Sequence, residues 1–216
     1  MKTKGLFDVI SPIMIGPSSS HTAGAIRLGL MARTIYNAPI KKVLFTLYNS
    51  FAQTGKGHGT DKGLLAGIMG CHVDDVRTKN IFSITDIEYE FHFAEDLSRH
   101  PNSVDIKIND DMMISGCSIG AGEIRITEIN GFSVNLAGQY HTILLMYKDK
   151  PGMISTVSKF VQDRDINIAS LHCDRNEKGG VASMYLALDA EPQEEIVDDI
   201  KNISDVYFVT KVRKLD

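Results

Sequence analysis

Residues 15–24 read IGPSSSHTAG and run directly into AIRLGLMARTIY at residues 25–36. In the second segment Leu28, Met31, Ala32 and Ile35 recur at helical spacing, so the pattern predicts an amphipathic helix. Stepping that stripe back by three and four residues reaches Ala25 and then His21, which puts the histidine on the buried side of the first turn. The leading N–H groups of a helix lack intrahelical acceptors and carry partial positive charge. Serine hydroxyls beside such amides can hold a carboxylate or a phosphate, and a histidine in the same turn can move protons near neutral pH. The plainer reading is a long N-cap in which one serine caps and the others are solvated.

Working outward, IKKVLFTLYNS at residues 40–50 reads as a strand, and TGKGHGTDKG at residues 54–63 as a glycine-rich loop before a short helix capped by Thr60 or Asp61. Gly55, Gly57 and Gly59 alternate around His58 and would let backbone amides turn toward an anion or let another chain approach closely. The spacing is neither a Walker loop nor a dinucleotide fingerprint, and an ordinary flexible loop is the alternative. Two junctions leading into helices thus each carry a histidine, a threonine and small residues. If they face each other, they outline one polar pocket. IEYEFHF, SVDIKIN, MMISGCSIGAGEIRITEI and FSVNL read as strands separated by turns, with Gly120 and Gly122 marking a bulge or a close backbone approach. This half is α/β and ends in an antiparallel layer.

From Tyr140 onward the grammar changes. HTILLMYK reads as a strand, and the segment opening DKPG as a helix with Met153, Val157, Phe160 and Val161 inward. INIASLHCDRN reads as a strand with Ile166, Ile168, Ser170 and His172 on one face, followed by an EKGG turn and the strand VASMYLALDA. PQEEIVDDIKNIS, with Ile196, Ile200 and Ile203 at helical spacing, and DVYFVTKVRKL complete a β-α-β-β-α-β order, a ferredoxin-like unit. Two helices cover one face of such a sheet, so its other face or its edges are expected to find a partner. The domains are therefore placed at residues 1–138 and 140–216.

The formal charge of the 216-residue chain is −4 with both signs dispersed, which gives nucleic-acid binding no basic patch to rest on. No apolar run approaches a membrane span, and MKTKGLFDVISP is too short in apolar residues for a secretory leader. Cys71, Cys117 and Cys173 are odd in number and far apart, so a disulfide framework is not expected and the cytoplasm is the default compartment. No metal site within the chain is expected. The seven histidines lack zinc-type spacing, the adjacent Cys71 and His72 point two ways on a helix, and the cysteine spacings match no cluster-binding run.

FDVISPIMIGPSSSHTAGAIRLG, GKGHGTDKGLLAG and SIGAGEI together resemble the β chain of two-chain, iron–sulfur-dependent L-serine dehydratases, and residues 140–216 resemble an ACT domain, a small regulatory module of amino-acid metabolism. The resemblance implies conversion of L-serine to pyruvate and ammonia, with a [4Fe–4S] cluster ligated by a partner α chain, so that this polypeptide is half an enzyme and inactive alone. It implies that residues 18–22 and 55–61 form this chain's wall of the active site. Ser18, Ser19, Ser20 and Thr22 would then bond the substrate carboxylate, with Gly57 and Gly59 in the same wall. His21 and His58 would transfer protons or orient the leaving hydroxyl, and Thr60 and Asp61 would bind the amino group or fix His58. The first half also resembles the accessory substrate-binding domain of some phosphoglycerate dehydrogenases, which implies an alternative, a non-catalytic serine or anion sensor. Serine-binding ACT domains of such enzymes use a histidine and an asparagine before Pro-Gly and an asparagine opening the second strand. The corresponding positions here are Tyr147, Asp149 and Asn167, of which only Asn167 matches. Gly152 would leave the loop open for an amino-acid effector between paired domains, and simple self-association is the alternative role.

Overall fold

The computed structural model describes residues 14–215. The leader reading and the opening FDVISP of the family motif lie outside them. The chain divides into two compact units, the first running to Asn130 and including Asn135–Ala137, the second holding Gly131–Val134 and the chain from Gly138.

The first unit opens with one π-helical turn, Ser19–Ala23, followed by helix α1, Gly24–Tyr36. Ser18 is the N-cap, and its Oγ accepts the His21 N–H at 3.1 Å, a cap of the kind that contributes about 1 kcal/mol. The predicted stripe is buried, with Ala25, Leu28, Met31, Ala32 and Ile35 fully inaccessible. Asn37 ends the helix in the left-handed region at φ 48° and returns its N–H to the Arg33 carbonyl. Strand β1, Lys42–Tyr48, buries Val43, Phe45 and Leu47 in strict alternation.

Here the glycine-rich loop expected at residues 54–63 is corrected. Helix α2, Asn49–His58, runs straight through Gly55 and Gly57. Gly59, at φ 72°, ends it and serves as N-cap of helix α3, Thr60–Ile68. Neither Thr60 nor Asp61 caps α3. A 3₁₀ turn at Val76–Asn80 and helix α4, Ile81–Ile84, lead to strand β2, Glu88–Ala94, which lies parallel to β1. Strands β3 (Ser103–Ile108), β4 (Met112–Gly120), β5 (Glu123–Ile129) and β6 (Phe132–Leu136) complete a six-stranded sheet ordered β2-β1-β3-β4-β5-β6. Phe45, Ile106 and Ile114 stand in register across its centre. Gly120, Ala121 and Gly122 turn the β4–β5 hairpin with positive φ, and the ladder slips between Ser118 and Gly120.

Helices α1 and α3 cross at glycines. A methyl group on Gly29 would stand 2.3 Å from the Leu64 carbonyl oxygen, and one on Gly67 would stand 2.1 Å from that of Ile26. One turn earlier, Gly63 faces the Thr22 carbonyl oxygen at 2.8 Å from the same virtual atom. The backbones therefore touch, and α3 is held against the turn that carries His21.

The second unit follows the expected order: β7 (His141–Lys148), α5 (Met153–Gln162), β8 (Ile168–Arg175), β9 (Val181–Leu188), α6 (Glu194–Lys201) and β10 (Val206–Val212). Its sheet runs β10-β7-β9-β8. Met153, Val157 and Val161 of α5 and Ile196 and Ile200 of α6 pack on Ile143, Leu145, Met184 and Leu186. The face expected for β8 is corrected. A bulge between Ile168 and Ser170 lets Ile168 and Leu171 reach this core, while His172 stacks on Tyr185 at 4.7 Å.

Alanine in a helix is favoured over glycine by about 1 kcal/mol, but at the α1–α3 crossing the added methyl meets backbone that cannot yield. Gly67→Ala is therefore expected to lower the denaturant midpoint, with a net cost of about 1–3 kcal/mol. Measured stabilisation would show that the helices are free to separate.

Candidate active site

The geometry is built where β1 ends. Asn49, at φ 50°, is clamped through its side chain, whose Nδ2 donates to the Asp96 carbonyl at 2.7 Å and whose Oδ1 accepts the Asp96 N–H at 2.9 Å. Beside it the Tyr48 hydroxyl donates to Asp105 at 2.8 Å, and Arg99 lies over the Tyr48 ring. These contacts anchor the start of α2 and with it Ser50.

His21 and His58 come together, with ring centroids 5.2 Å apart, although 37 positions separate them in the chain. The His21 ring is half-buried and rests against Phe51 at 5.5 Å. Its Nδ1 meets the hydroxyls of Ser20 at 3.2 Å and Ser18 at 3.3 Å, and its Nε2 meets the Ser50 hydroxyl at 3.3 Å. Hydroxyls rotate and either donate or accept, so the ring can take up or release a proton without moving. Burial, and secondarily the charge of His58, push the imidazole below its ordinary value of 6.5. His58 is exposed at the end of α2. Thr22 joins the two segments, its buried hydroxyl donating to the His58 carbonyl at 2.7 Å.

A cavity of about 270 Å³ adjoins this junction, lined among others by Thr22, Gly57, Gly59, Lys62, Thr78 and Lys79. Of the residues expected in the site, Ser18, Ser20, His21, Thr22 and His58 converge, and Gly57 and Gly59 line the cavity. Ser19 lends its carbonyl to Gly24 N–H. Thr60 is fully buried, and its hydroxyl has no partner among the described residues. Asp61 accepts the Lys62 N–H at 2.7 Å. Ser50, Lys62, Thr78 and Lys79 were missed. For Ser50 a signal existed, since ligands of parallel-stranded sheets gather at the carboxyl ends of strands. The lysines carry no local signal.

In the second unit the four expected effector residues do not gather within one chain. Asp149 N–H bonds Gly180 before the start of β9, whereas Asn167 receives the Asp189 N–H just past its other end. With eight residues in β9 the two positions lie roughly 25 Å apart. The Gly179 N–H and Arg175, each at 3.0 Å, already engage the Asp149 carboxylate and hold it below the usual carboxylate range. Asn167 donates to Asp189 at 2.7 Å. Tyr147 is buried, and burial together with Cys173 raises its phenol. Gly152, at φ 93°, opens α5.

Among the described residues no three His, Cys, Asp or Glu side chains are placed to share a metal ion. Cys71 and Cys117 are buried, and burial raises both thiols away from the thiolate form that binds iron. Cys173 is exposed in the second unit. These residues do not fit an iron–sulfur cluster. No helix among the described residues is long and apolar enough to cross a membrane.

Comparison with known proteins agrees with this anatomy. A family model described as serine dehydratase beta chain matches residues 5–116, and one described as AHAS small subunit-like ACT domain matches residues 143–208. The protein named "Probable L-serine dehydratase, beta chain" of Bacillus subtilis is 37% identical over 98% of this chain and 99% of its own length. The L-serine dehydratase beta chain of Peptoniphilus asaccharolyticus is 37% identical over 91% of this chain and 92% of its own. A D-3-phosphoglycerate dehydrogenase of Bacillus subtilis is 26% identical over 85% of this chain, which spans 36% of that enzyme. The chain belongs to the serine dehydratase β-chain family and carries a C-terminal ACT domain.

Proposed function

We propose that this chain is the β subunit of a cytoplasmic L-serine dehydratase, inactive alone, which with an α chain converts L-serine to pyruvate and ammonia. The observation that carries the reading is the contact of His21 and His58 at 5.2 Å, brought about by segments that the sequence keeps apart. A [4Fe–4S] cluster belongs, on this reading, to the α chain, because the residues described here do not fit one.

Dehydration of serine removes the Cα proton and the β-hydroxyl. The resulting enamine tautomerises and is hydrolysed to pyruvate and ammonia. The α-proton needs a base that is neutral at working pH, and His21 is suited to that task. Its pKa is depressed, so the unprotonated ring dominates. Ser18 and Ser20 fix the ring plane from Nδ1, and Ser50 at Nε2 can pass the proton onward by rotating. His58, exposed beside it, disfavours a positive charge on His21 and so favours the neutral ring. The ACT domain pairs with a second copy along an exposed edge. Only such pairing brings Asp149 and Gly152 of one copy near Asn167 of another to bind an amino-acid effector.

The D-3-phosphoglycerate dehydrogenase relative supports a second reading, a serine-sensing module without chemistry. Co-expression with the α chain under anaerobic conditions, with pyruvate assayed from serine, decides between them. Turnover by the pair supports the enzyme, and tight serine binding without turnover supports the sensor.

In the active pair, His21→Ala is expected to lower kcat by about 10²–10⁴-fold while the cluster absorbance stays intact. Unchanged turnover removes His21 from the mechanism. The acid limb of kcat/KM is expected to have its midpoint below 6.5, because burial and His58 both lower the His21 pKa. His58→Asn removes the lowering contribution of a neighbouring charge, so the midpoint should move upward. A downward shift assigns the limb to another group.

A further inference from the structure

Ser18 and Ser20, expected to bind the substrate carboxylate, turn their hydroxyls onto His21 Nδ1 instead. The cavity beside Thr22 offers chemistry suited to the anionic end of an amino acid. Lys62, at the first turns of α3, and Lys79, in the 3₁₀ turn, both line it. Neither lysine is paired with an acid among the described residues. Asp75, the acid of that 3₁₀ turn, is committed to Arg77 at 2.6 Å and held at about 2.

Thr78 contributes to the same wall. It is 3% exposed, and its buried hydroxyl has no hydrogen-bond partner among the described residues. That oxygen has essentially no accessible surface, so it stands behind the cavity wall and the cavity itself presents the two lysines. Gly57 has nothing within 4 Å of where a side chain would begin, so the backbone of α2 is open on this side. At about 270 Å³ the cavity is smaller than the roughly 300–1,000 Å³ of drug-sized sites, which suits a small metabolite and not a nucleotide. Two cations select an anion. Thr22, shared by this cavity and the histidine pair, keeps the anion within one small molecule's reach of the proton-transferring groups.

We propose that Lys62 and Lys79 form the carboxylate-binding subsite for the amino-acid substrate and its keto-acid product. This inference rests on the reading of the chain as half of a serine-deaminating enzyme and names residues which that reading leaves unassigned.

The test uses the complete α–β enzyme with Lys62→Met, Lys62→Arg and Lys79→Met. Each lysine-to-methionine change should raise KM for L-serine about 10- to 100-fold, the loss typical of one charge-assisted hydrogen bond. Over the same series kcat should change little. Competitive inhibition by pyruvate should weaken by the same factor, whereas inhibition by L-serine methyl ester, which lacks the carboxylate charge, should not. Lys62→Arg should stay within a few-fold of the parent. Calorimetric binding of L-serine and pyruvate is measured in parallel. Turnover with unchanged KM and pyruvate affinity in both methionine variants overturns the subsite alone, as does equal weakening of the methyl ester. Serine binding that needs the lysines, in a complex that forms no pyruvate, overturns the proposed function and leaves the subsite standing.

Discussion

The first unit of this molecule depends on the contact of two helix backbones. Gly29 and Gly67 let α1 and α3 touch, and Gly63 lets α3 rest on the turn that carries His21 and Thr22. Side chains of any size at these points would hold helix axes at the ordinary 8–10 Å. The same crossing places α2, which ends immediately before α3, so that His58 arrives beside His21. The Thr22 hydroxyl then locks the junction with one bond to the His58 carbonyl. Geometry at the site is thus bought by an absence of side chains some turns away from it.

This arrangement separates two tasks that a single serine-rich turn first suggested would be combined. The hydroxyls of Ser18, Ser20 and Ser50 surround an imidazole and govern its proton. The cations Lys62 and Lys79 border a neighbouring space. Keeping cations away from the imidazole matters, because a positive neighbour lowers its basicity further. The division also suits an active site closed by a second polypeptide, in which this chain supplies proton handling and anchorage. The residues described here are not organised to ligate a redox or Lewis-acid centre.

The ACT domain obeys a different constraint. Its core is complete on the helix-bearing face, but the residues expected to recognise an effector stand at opposite ends of β9. The β-α-β-β-α-β order makes this unavoidable, since β7 and β8 both run antiparallel to β9. The end of one and the start of the other therefore fall at opposite ends of the strands.

Much of the architecture was legible in residue periodicity. The 3.6-residue stripe of α1, extended backwards, correctly put His21 on the inner side, and the strands and helices of the second unit emerged in order because alternation and helical spacing report local burial. The misreadings have physical causes. Glycine is a poor helix former, so residues 54–63 looked like a loop. Only packing against Thr22 and Leu47 shows why α2 continues through them. A one-residue bulge in β8 exchanged the faces of Leu171 and His172, which no alternation count can foresee. Sequence by itself determined which segments carry proton-active and small residues, and hence the family, because those depend on residue identity. That Ser50, Lys62, Thr78 and Lys79 join them was decided by tertiary structure alone, because it required two helices to approach to backbone contact over a distance in sequence that local pattern does not report.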